Sequence, residues 1–264
     1  MSRIIPLITL ILLALAGTVT ANEREDDVAA EAPAADSDDA PEQDEASSSE
    51  VEEEDGADTV KPLELLGKTV QPGTFETLHW APDQSFRSIA TPVPVLVAHG
   101  NEPGPRLCLT AAVHGDELNG IEMVRRLMYE LEPNELAGTV VGVPIVNLDG
   151  FRNGSRYLSD RRDLNRYFPG HKNGSAASRL AFSLFNNIVR QCDYLVDLHT
   201  GSQKRINQPQ LRADLDKSTV VAFAKHFGGM TVLHSPPGDG MLRAAAVDEG
   251  IVAVTMEAGG PNRL

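Results

Sequence analysis

Apolar runs alternate with amphipathic segments through most of the chain after residue 100. The apolar runs have the length and continuity of buried strands and comprise "RLCLTAAV" (106–113), "GTVVGVPIV" (138–146), "DYLVDL" (193–198) and "IVAVTM" (251–256). The segments around them predict helices, because apolar residues recur at helical spacing, at 120–131, 176–191, 214–226 and 239–250. This alternation is typical of an α/β domain whose mostly parallel or mixed central sheet carries helices on both faces.

Shorter patterned segments complete the expected sheet. Residues 74–82 and 91–100 are strand-like but broken by proline and glycine, which predicts an antiparallel edge, and 230–235 predicts one more short strand. Two long polar segments, 147–175 and 201–213, have no such pattern. Loops of that length within a compact domain are usually functional, so both are candidates for lining a site.

The first 58 residues differ in composition from the rest. Residues 1–21 have a positive charge near their start, at Arg3, followed by a short apolar run and small residues at the end. This pattern predicts a secretory signal peptide, and the alternative is an uncleaved membrane anchor. Residues 22–58 contain 17 acidic residues and one basic residue, Arg24, so they are expected to form a disordered acidic linker. We therefore predict an exported protein, periplasmic or secreted, with its folded domain at 59–264 and no stable membrane insertion after signal cleavage.

The acidity of the chain belongs to this linker. The whole chain has a net charge of −15, and the linker alone accounts for all of it, so the folded part is electrically balanced. A balanced domain lacks the basic excess of a nucleic-acid-binding protein, and we expect no nucleic-acid partner.

Two cysteines, Cys108 and Cys192, occur in this exported chain. Each lies in or beside an apolar segment. We interpret both as small buried apolar residues rather than as a disulfide, because the sequence alone does not place their Cα atoms within bridging distance.

Three ionisable residues occupy the same kind of position in the predicted sheet. His114 follows the strand that ends at Val113, His199 follows "DYLVDL", and Glu257 follows "IVAVTM". In open α/β sheets, ligands bind in the crevice at the carboxyl ends of the strands. The three side chains are therefore expected to converge on one site.

His114 and Glu117 lie three residues apart across a turn that Gly115 permits. With His199 they form the His₂Glu donor set of catalytic zinc sites, which keep one position open for water. The alternative is that the pair only caps the following helix and that His199 is a buried core histidine, because His-x-x-Glu alone is a weak signal. The polar residues at matching strand ends favour a metal site that holds one Zn²⁺ per chain.

The loop at 147–170 is rich in arginine: it contains Arg152, Arg156, Arg161, Arg162 and Arg166. A basic run of this kind is ordinarily a solvated surface. Here "DLNR" (163–166) adds hydrogen-bonding groups, and an arginine fork matches a carboxylate with two parallel hydrogen bonds. The loop is therefore expected to bind an acidic substrate.

Four short motifs resemble, in their order and spacing, those of the succinylglutamate desuccinylase/aspartoacylase family. They are "HGDE" (114–117), "RDLNRYFPG" (162–170), "DLHTG" (197–201) and "EAG" (257–259). Members of that family are zinc-dependent and related to the zinc carboxypeptidases. The resemblance covers about residues 64–260, which is the predicted folded part.

The resemblance implies a role for individual positions around the metal. His114, Glu117 and His199 match the zinc ligands. Glu257 matches the general base, which also serves as the acid. Asp163 matches a carboxylate that orients the first histidine ligand, and such an outer hydrogen bond fixes the imidazole tautomer.

The resemblance also implies substrate-binding positions. Asn165 and Arg166 match residues that bind the substrate carboxylate. An arginine shortly before "DLNR" polarises the scissile carbonyl in the family, and Arg156 is favoured over Arg161 for that role. Arg243, on the helix before the last strand, corresponds loosely to another substrate-binding arginine.

Two features depart from the family pattern. Family members usually continue past the "EAG" strand into a small β-rich segment that this chain lacks, so we expect either a fragment or an open pocket. Several relatives have asparagine at the position of Asp116, which we interpret as a turn-stabilising residue rather than a fourth ligand. Asn119 is expected to cap the helix at 120–131.

The expected activity is zinc-dependent hydrolysis of a linear amide, other than a peptide bond, in a small acidic N-acyl amino acid. Zinc activates water, and a glutamate acts as general base. One alternative is a zinc carboxypeptidase that cuts peptides with the same metal site. The other is a non-catalytic protein that binds acidic metabolites.

Overall fold

The structure is a computed structural model that describes residues 59–82, 91–203 and 205–261. The predicted signal peptide and acidic linker lie outside the described residues. Among the helices of the described ranges, none has both the length and the hydropathy needed to cross a membrane.

Two sheets are present in the described ranges. The smaller is an antiparallel pair of β1 (Leu63–Leu65) and β2 (Lys68–Val70). The larger, central sheet consists of β3 (Thr74–Trp80), β4 (Val93–His99), β5 (Glu102–Ala111), β6 (Ala137–Val143), β7 (Tyr194–His199), β8 (Gln210–Ala213), β9 (Thr231–His234) and β10 (Val252–Glu257).

The central sheet is mixed, with the strand order β3-β4-β6-β5-β7-β10-β8-β9. The neighbours β6, β5, β7 and β10 are parallel, β8 and β9 are parallel at one edge, and the remaining pairs are antiparallel. This confirms the predicted α/β class and the antiparallel edge at β3 and β4. Since β5, β7 and β10 are neighbours that run the same way, their carboxyl ends lie side by side.

Helices cover both faces of the central sheet. They are α1 (Asn119–Glu130), α2 (Leu148–Arg152), α3 (Ala176–Asn187), α4 (Ser218–Ala224) and α5 (Leu242–Asp248). Buried apolar residues of α1 and α4 pack in one hydrophobic cluster, and those of α3 and α5 pack in a second cluster on the opposite face. Strand residues alternate between the clusters, as Leu107 and Cys108 do, because successive side chains of a strand point to opposite faces.

Cys108 and Cys192 are both buried, as expected, but the interpretation that they are unpaired was wrong, because they form a disulfide. Cys108 lies within β5, and Cys192 lies just before β7. Since β5 and β7 are adjacent, the two Cα atoms are 5.9 Å apart, which is an ordinary separation for a disulfide.

The segment 201–213, expected to be a loop, ends in the strand β8. This strand is short, and its place depends on antiparallel pairing with β10, which no local pattern reveals. The helix predicted from residue 214 begins later, at Ser218, because β8 and the turn that follows occupy the chain before it.

Candidate metal centre

The turn after β5 fixes the position of His114. Ala112 has a left-handed backbone, with φ at 50°, which redirects the chain as it leaves the sheet. A Cβ at Gly115 would lie 2.0 Å from the carbonyl carbon of Gly150, so only glycine fits there. The N–H of Glu117 donates to the carbonyl of His114 at 3.1 Å, which closes a tight turn and brings both side chains to the same side.

His199 and Glu257 end two neighbouring parallel strands. They are register partners of β7 and β10, and the N–H of Ala258 donates to the carbonyl of His199 at 2.7 Å. The pairing therefore brings His199 and Glu257 together at the edge of the sheet where the His114 turn lies, as the sequence pattern predicts.

His114, Glu117 and His199 place one donor atom each within 4.8 Å of one another, and all three are buried. The Nδ1 atoms of His114 and His199 lie 2.9 Å from Oε1 and 2.8 Å from Oε2 of Glu117, respectively. The two Nδ1 atoms are 3.2 Å apart. Both imidazoles therefore turn the same ring nitrogen towards one shared centre.

Each imidazole has a carboxylate on its other nitrogen. Nε2 of His114 lies 3.1 Å from Oδ1 of Asp163, and Nε2 of His199 lies 2.7 Å from Oδ2 of Asp197. The Thr110 hydroxyl donates to the second oxygen of Asp197 at 2.8 Å. The family resemblance indicated Asp163, whereas Asp197 was missed, although its position two residues before His199 on a buried strand puts both side chains on one face.

The ionisable groups of this centre strongly affect one another. Burial alone would raise the pKa of Glu117, but the charge of His199 and hydrogen bonds to both imidazoles hold that pKa well below its ordinary value. Burial alone would likewise raise the pKa of Asp163, and its hydrogen bond to His114 lowers it below its usual range. Burial alone would lower the pKa of His199, but Asp197 and Glu117 raise it well above the usual value. Glu117 and Asp163 therefore stay ionised beside the two imidazoles, which is the state that a carboxylate ligand and an outer carboxylate need.

The chemistry of the donor set fits a divalent zinc ion. Two imidazole nitrogens and one carboxylate form the protein ligands of catalytic zinc sites that keep an open position. Metal-bound histidines ordinarily place their second nitrogen against a carboxylate, as both do here. Asp116 lies outside this donor set, and its Oδ2 accepts a hydrogen bond of 2.9 Å from the N–H of Gln203.

Arg156 reaches into the metal centre from the loop after α2. Its Nη1 donates to the hydroxyl of Ser202 at 2.5 Å and lies 3.2 Å from Oε1 of Glu117. Its Nη2 donates to Asp163 at 2.9 Å. Ser202 in turn donates a short hydrogen bond to Glu117. Arg156 thus brings a positive charge next to the open side of the donor set.

An open cavity of about 200 Å³ lies over the donor set. Its wall includes Glu257, Arg156, Asn165 and Arg166 among the residues that the sequence singled out. Further wall residues come from the chain between β7 and β8 and from β8 itself, and sequence reasoning did not identify them: Thr200, Gly201, Ser202, Arg205, Asn207 and Arg212. The loop lengths alone pointed to this part of the chain.

Two of the predicted substrate-binding arginines are not part of the cavity wall. Arg161 is exposed and has a left-handed backbone, with φ at 64°, in a turn that its N–H closes onto the carbonyl of Leu158. Arg243 is buried, and its Nη1 donates to the carbonyl of Ser235 at 2.7 Å. The structure therefore does not place Arg161 or Arg243 where a cavity-bound substrate would touch them.

Asn165 has a structural contact in addition to its place on the wall. Its Oδ1 accepts a hydrogen bond of 2.8 Å from the N–H of Leu242, which ties the loop to the beginning of α5. Arg166 donates from Nη1 to the carbonyl of Asn165 at 2.7 Å. The side chains of Asn165 and Arg166 thus line the cavity from a loop that a hydrogen bond ties to the start of α5.

Asn119 does not cap α1, so that expectation was wrong. It is the first residue of the helix, and its Nδ2 donates to the carbonyls of Ala258 and Gly260 at 2.9 Å each. Because the helix N-terminus lies beside the chain that follows β10, the amide reaches that chain instead of the helix backbone. The contact links the turn that holds Glu117 to the segment after Glu257.

Comparison with known proteins identifies the same family as the motifs do. The profile of the succinylglutamate desuccinylase/aspartoacylase catalytic domain matches residues 103–264. An N-alpha-acetyl-L-2,4-diaminobutyric acid deacetylase of Halomonas elongata is 35% identical over 115 residues, which are 43% of this chain and 33% of that enzyme. The resemblance inferred from the four motifs is thereby confirmed.

Solved structures agree with this match. A succinylglutamate desuccinylase/aspartoacylase from Rhodobacter sphaeroides superimposes with a TM-score of 0.64 at 29% identity, covering 72% of this chain and 59% of that one. The product-bound ectoine utilization protein EutE (DoeB) from Ruegeria pomeroyi gives 0.62 at 29% identity, covering 70% and 60%. The chain therefore spans a third of the curated relative and about three fifths of these solved chains.

Proposed function

The chain belongs to the succinylglutamate desuccinylase/aspartoacylase family, and from this we propose that it is a zinc-dependent hydrolase that removes the acyl group from small acidic N-acyl amino acids. The observation that carries the proposal is the convergence of the His114, Glu117 and His199 donors with Glu257 on one cavity. The relative from Halomonas elongata is named as a deacetylase of an N-acetylated amino acid, which supports the same class of reaction.

His114, Glu117 and His199 would hold one zinc ion per chain. When bound, zinc supplies a Lewis acid that polarises carbonyl groups and makes water acidic near neutral pH. Asp163 and Asp197 keep the two imidazoles in the tautomer that leaves Nδ1 available as a ligand.

Glu257 is the proposed general base. Its carboxylate lies on the cavity wall at the end of β10, and it accepts the proton that water loses on attacking the amide carbonyl. The same group then donates that proton to the nitrogen of the leaving amine. Arg156, whose guanidinium lies beside Glu117, stabilises the negative charge that develops on the carbonyl oxygen.

Asn165 and Arg166 would bind the carboxylate of the substrate. A guanidinium matches a carboxylate with parallel hydrogen bonds, and both side chains line the cavity. Arg161 and Arg243 are left out of this proposal, because neither reaches the cavity wall.

A hydrolysis screen tests this function. The full chain is dialysed against a chelator, reloaded with zinc and offered N-acetyl and N-succinyl derivatives of acidic and neutral amino acids beside short peptides. Release of free amine from the acidic derivatives, lost without metal and restored by zinc, is the expected result. Cleavage of peptides alone would favour a carboxypeptidase, and tight binding without turnover would favour a binding protein.

We further propose that the protein is exported to the periplasm or secreted. The charged start, apolar run and small residues of 1–21 support this localisation, and so does the disulfide between Cys108 and Cys192, since disulfides persist in oxidising compartments. Cell fractionation of the full chain beside a variant that lacks residues 2–21 checks it. Equal retention of both in the cytoplasm would rule it out.

A further inference from the structure

The Glu257 carboxylate has a partner on each of its oxygens. The Asn207 amide donates a hydrogen bond from Nδ2 to Oε2 at 2.6 Å. Nε of Arg212 lies 3.0 Å from Oε1 as an ion pair, without the geometry of a hydrogen bond. The side chain of Glu257 is only 10% exposed, whereas that of Arg212 is 40% exposed on the cavity wall. The carboxylate is therefore held from two sides while it faces the cavity.

The strand pairing explains why Arg212 lies beside Glu257. Arg212 on β8 is the register partner of Thr255 on antiparallel β10, so their side chains lie on one face of the sheet. Glu257 is two residues beyond Thr255 and shares that face. Arg212 and Glu257 are thus diagonal neighbours on adjacent strands, a separation that long side chains span easily.

The chain before β8 brings Asn207 to the other oxygen. The N–H groups of Gly201 and Asn207 both donate to the carbonyl of Gly259, at 3.0 and 3.3 Å. The N–H of Gln203 donates to Asp116, beside the metal-binding turn. Three backbone N–H groups of this loop, including that of Asn207, therefore tie it to the segments that carry Glu257 and Glu117.

We propose that Asn207 and Arg212 are positioning residues that hold the Glu257 carboxylate in the orientation needed for proton transfer. This inference rests on the proposed function, in which Glu257 is the general base. A misplacement of about 1 Å in a reacting group can cost about 100-fold in rate, so restraint on both oxygens has a large kinetic value. Neither residue needs to touch the substrate for this role.

A double-mutant cycle tests the proposal with zinc-loaded full chain. Asn207→Ala and Arg212→Gln are each expected to lower kcat by about 10- to 100-fold with little change in KM, because they disorder the base without removing a substrate contact. Arg212→Lys should recover part of the loss, since it restores the positive charge. In a Glu257→Gln background the same two changes should have almost no further effect, because their only target is gone.

A matched control is the Arg190–Glu249 pair on the surface. Nη2 of Arg190 lies 2.5 Å from Glu249, and the two side chains are 44% and 41% exposed. Arg190→Gln thus removes an arginine of similar exposure from a carboxylate and should leave kcat unchanged. Zinc content and the calorimetric Kd of an N-acetylated acidic amino acid, measured for the Glu257→Gln variants, should stay constant across the cycle.

The outcomes separate this proposal from the function on which it rests. A parental rate for Glu257→Gln would overturn the general base and this inference together. A slow Glu257→Gln with parental rates for Asn207→Ala and Arg212→Gln would overturn the positioning role alone. A rise in KM for Arg212→Gln that persists in the Glu257→Gln background would instead make Arg212 a substrate-binding residue. If Arg212→Gln fails to fold, the cycle between Asn207 and Glu257 decides.

Discussion

Two clusters of three metal-type donors occur in the described ranges of the chain, and their surroundings differ. The first cluster is His114, Glu117 and His199, and the second cluster is Asp214, Asp216 and His234. All donors of the first cluster are buried at the carboxyl ends of central strands. In the second cluster, at the ends of β8 and β9, the side chains of His234 and Asp216 are 45% and 82% exposed.

The two clusters differ more clearly in the partners of the ring nitrogens of their histidines. In the first cluster both Nε2 atoms face a carboxylate, so both Nδ1 atoms are directed to the shared centre. In the second cluster Nδ1 of His234 already accepts a hydrogen bond of 3.1 Å from the N–H of Leu215, and its Nε2 lies 3.9 Å from Asp216. The two clusters therefore offer the same number of donors but differ in burial and in the outer hydrogen bonds that orient metal ligands.

The largest expected effect is the loss of metal from the first cluster. His199→Ala removes one of three ligands, and zinc content should fall from about one equivalent per chain to background. Metal analysis of the purified protein measures this. His79→Ala, which removes an exposed imidazole from the far edge of the sheet, is the control and should retain full zinc. Full zinc retention in His199→Ala would show that the first cluster is not the zinc site.

The next largest effect is expected at Glu257, whose carboxylate lines the same cavity as the first cluster. Glu257→Gln should keep zinc but lower turnover by about 100- to 10,000-fold, because the amide cannot accept the proton. Steady-state kinetics combined with metal analysis checks both parts. A parental rate with full zinc would mean that Glu257 has another role.

The sequence predicted the first cluster because its signal is local. An apolar run that ends abruptly in histidine or glutamate marks the carboxyl end of a strand, and His114, His199 and Glu257 all follow that rule. Asp197 was visible by the same logic, since it is a carboxylate inside the buried run "DYLVDL", two residues before His199. The outer hydrogen bond of His199 could therefore have been predicted.

Other parts of the site depend on pairing between distant segments. Arg212 and Asn207 reach Glu257 only because β8 lies antiparallel to β10, and the disulfide forms only because β5 lies beside β7. No local pattern fixes either neighbourhood. The family resemblance favoured Arg156 over Arg161, but spacing alone does not separate them, because an irregular loop has no period that directs one side chain to the cavity and the other to solvent.

The disulfide cross-links the part of the sheet that carries the first cluster. In the described residues no such link reaches β8 or β9, which carry the second cluster. The disulfide links β5 to the chain entering β7 and closes a separation of 84 residues. The double variant Cys108→Ala/Cys192→Ala should lower the free energy of unfolding by about 2–4 kcal/mol, mainly through the freer unfolded chain. Urea denaturation of the metal-free proteins measures it. An unchanged free energy of unfolding would show that the disulfide does not stabilise the fold.

A smaller effect tests the outer carboxylates directly. Asp197→Asn keeps the shape of the side chain but removes the charge beside His199, and zinc affinity should fall by about 10- to 100-fold. Competition with a chromophoric chelator measures the change in Kd. The matched variant Asp216→Asn, in the second cluster, should leave that Kd unchanged. An equal effect of the two variants would erase the distinction between the clusters.

The smallest effect is expected from His234→Ala in the second cluster. Its half-exposed imidazole makes one hydrogen bond to the backbone and lies 3.9 Å from Asp216, so the free energy of unfolding should fall by only about 0.5–1 kcal/mol. Zinc stoichiometry should remain that of the parent, because two of the three donors are exposed and the occupied Nδ1 of His234 would have to give up an existing contact to bind an ion. Metal analysis after equilibration with excess zinc and gel filtration provides the measurement. If the parent retained two ions per chain and His234→Ala only one, exposure and outer hydrogen bonds would no longer separate a metal site from a chance group of donors in this fold.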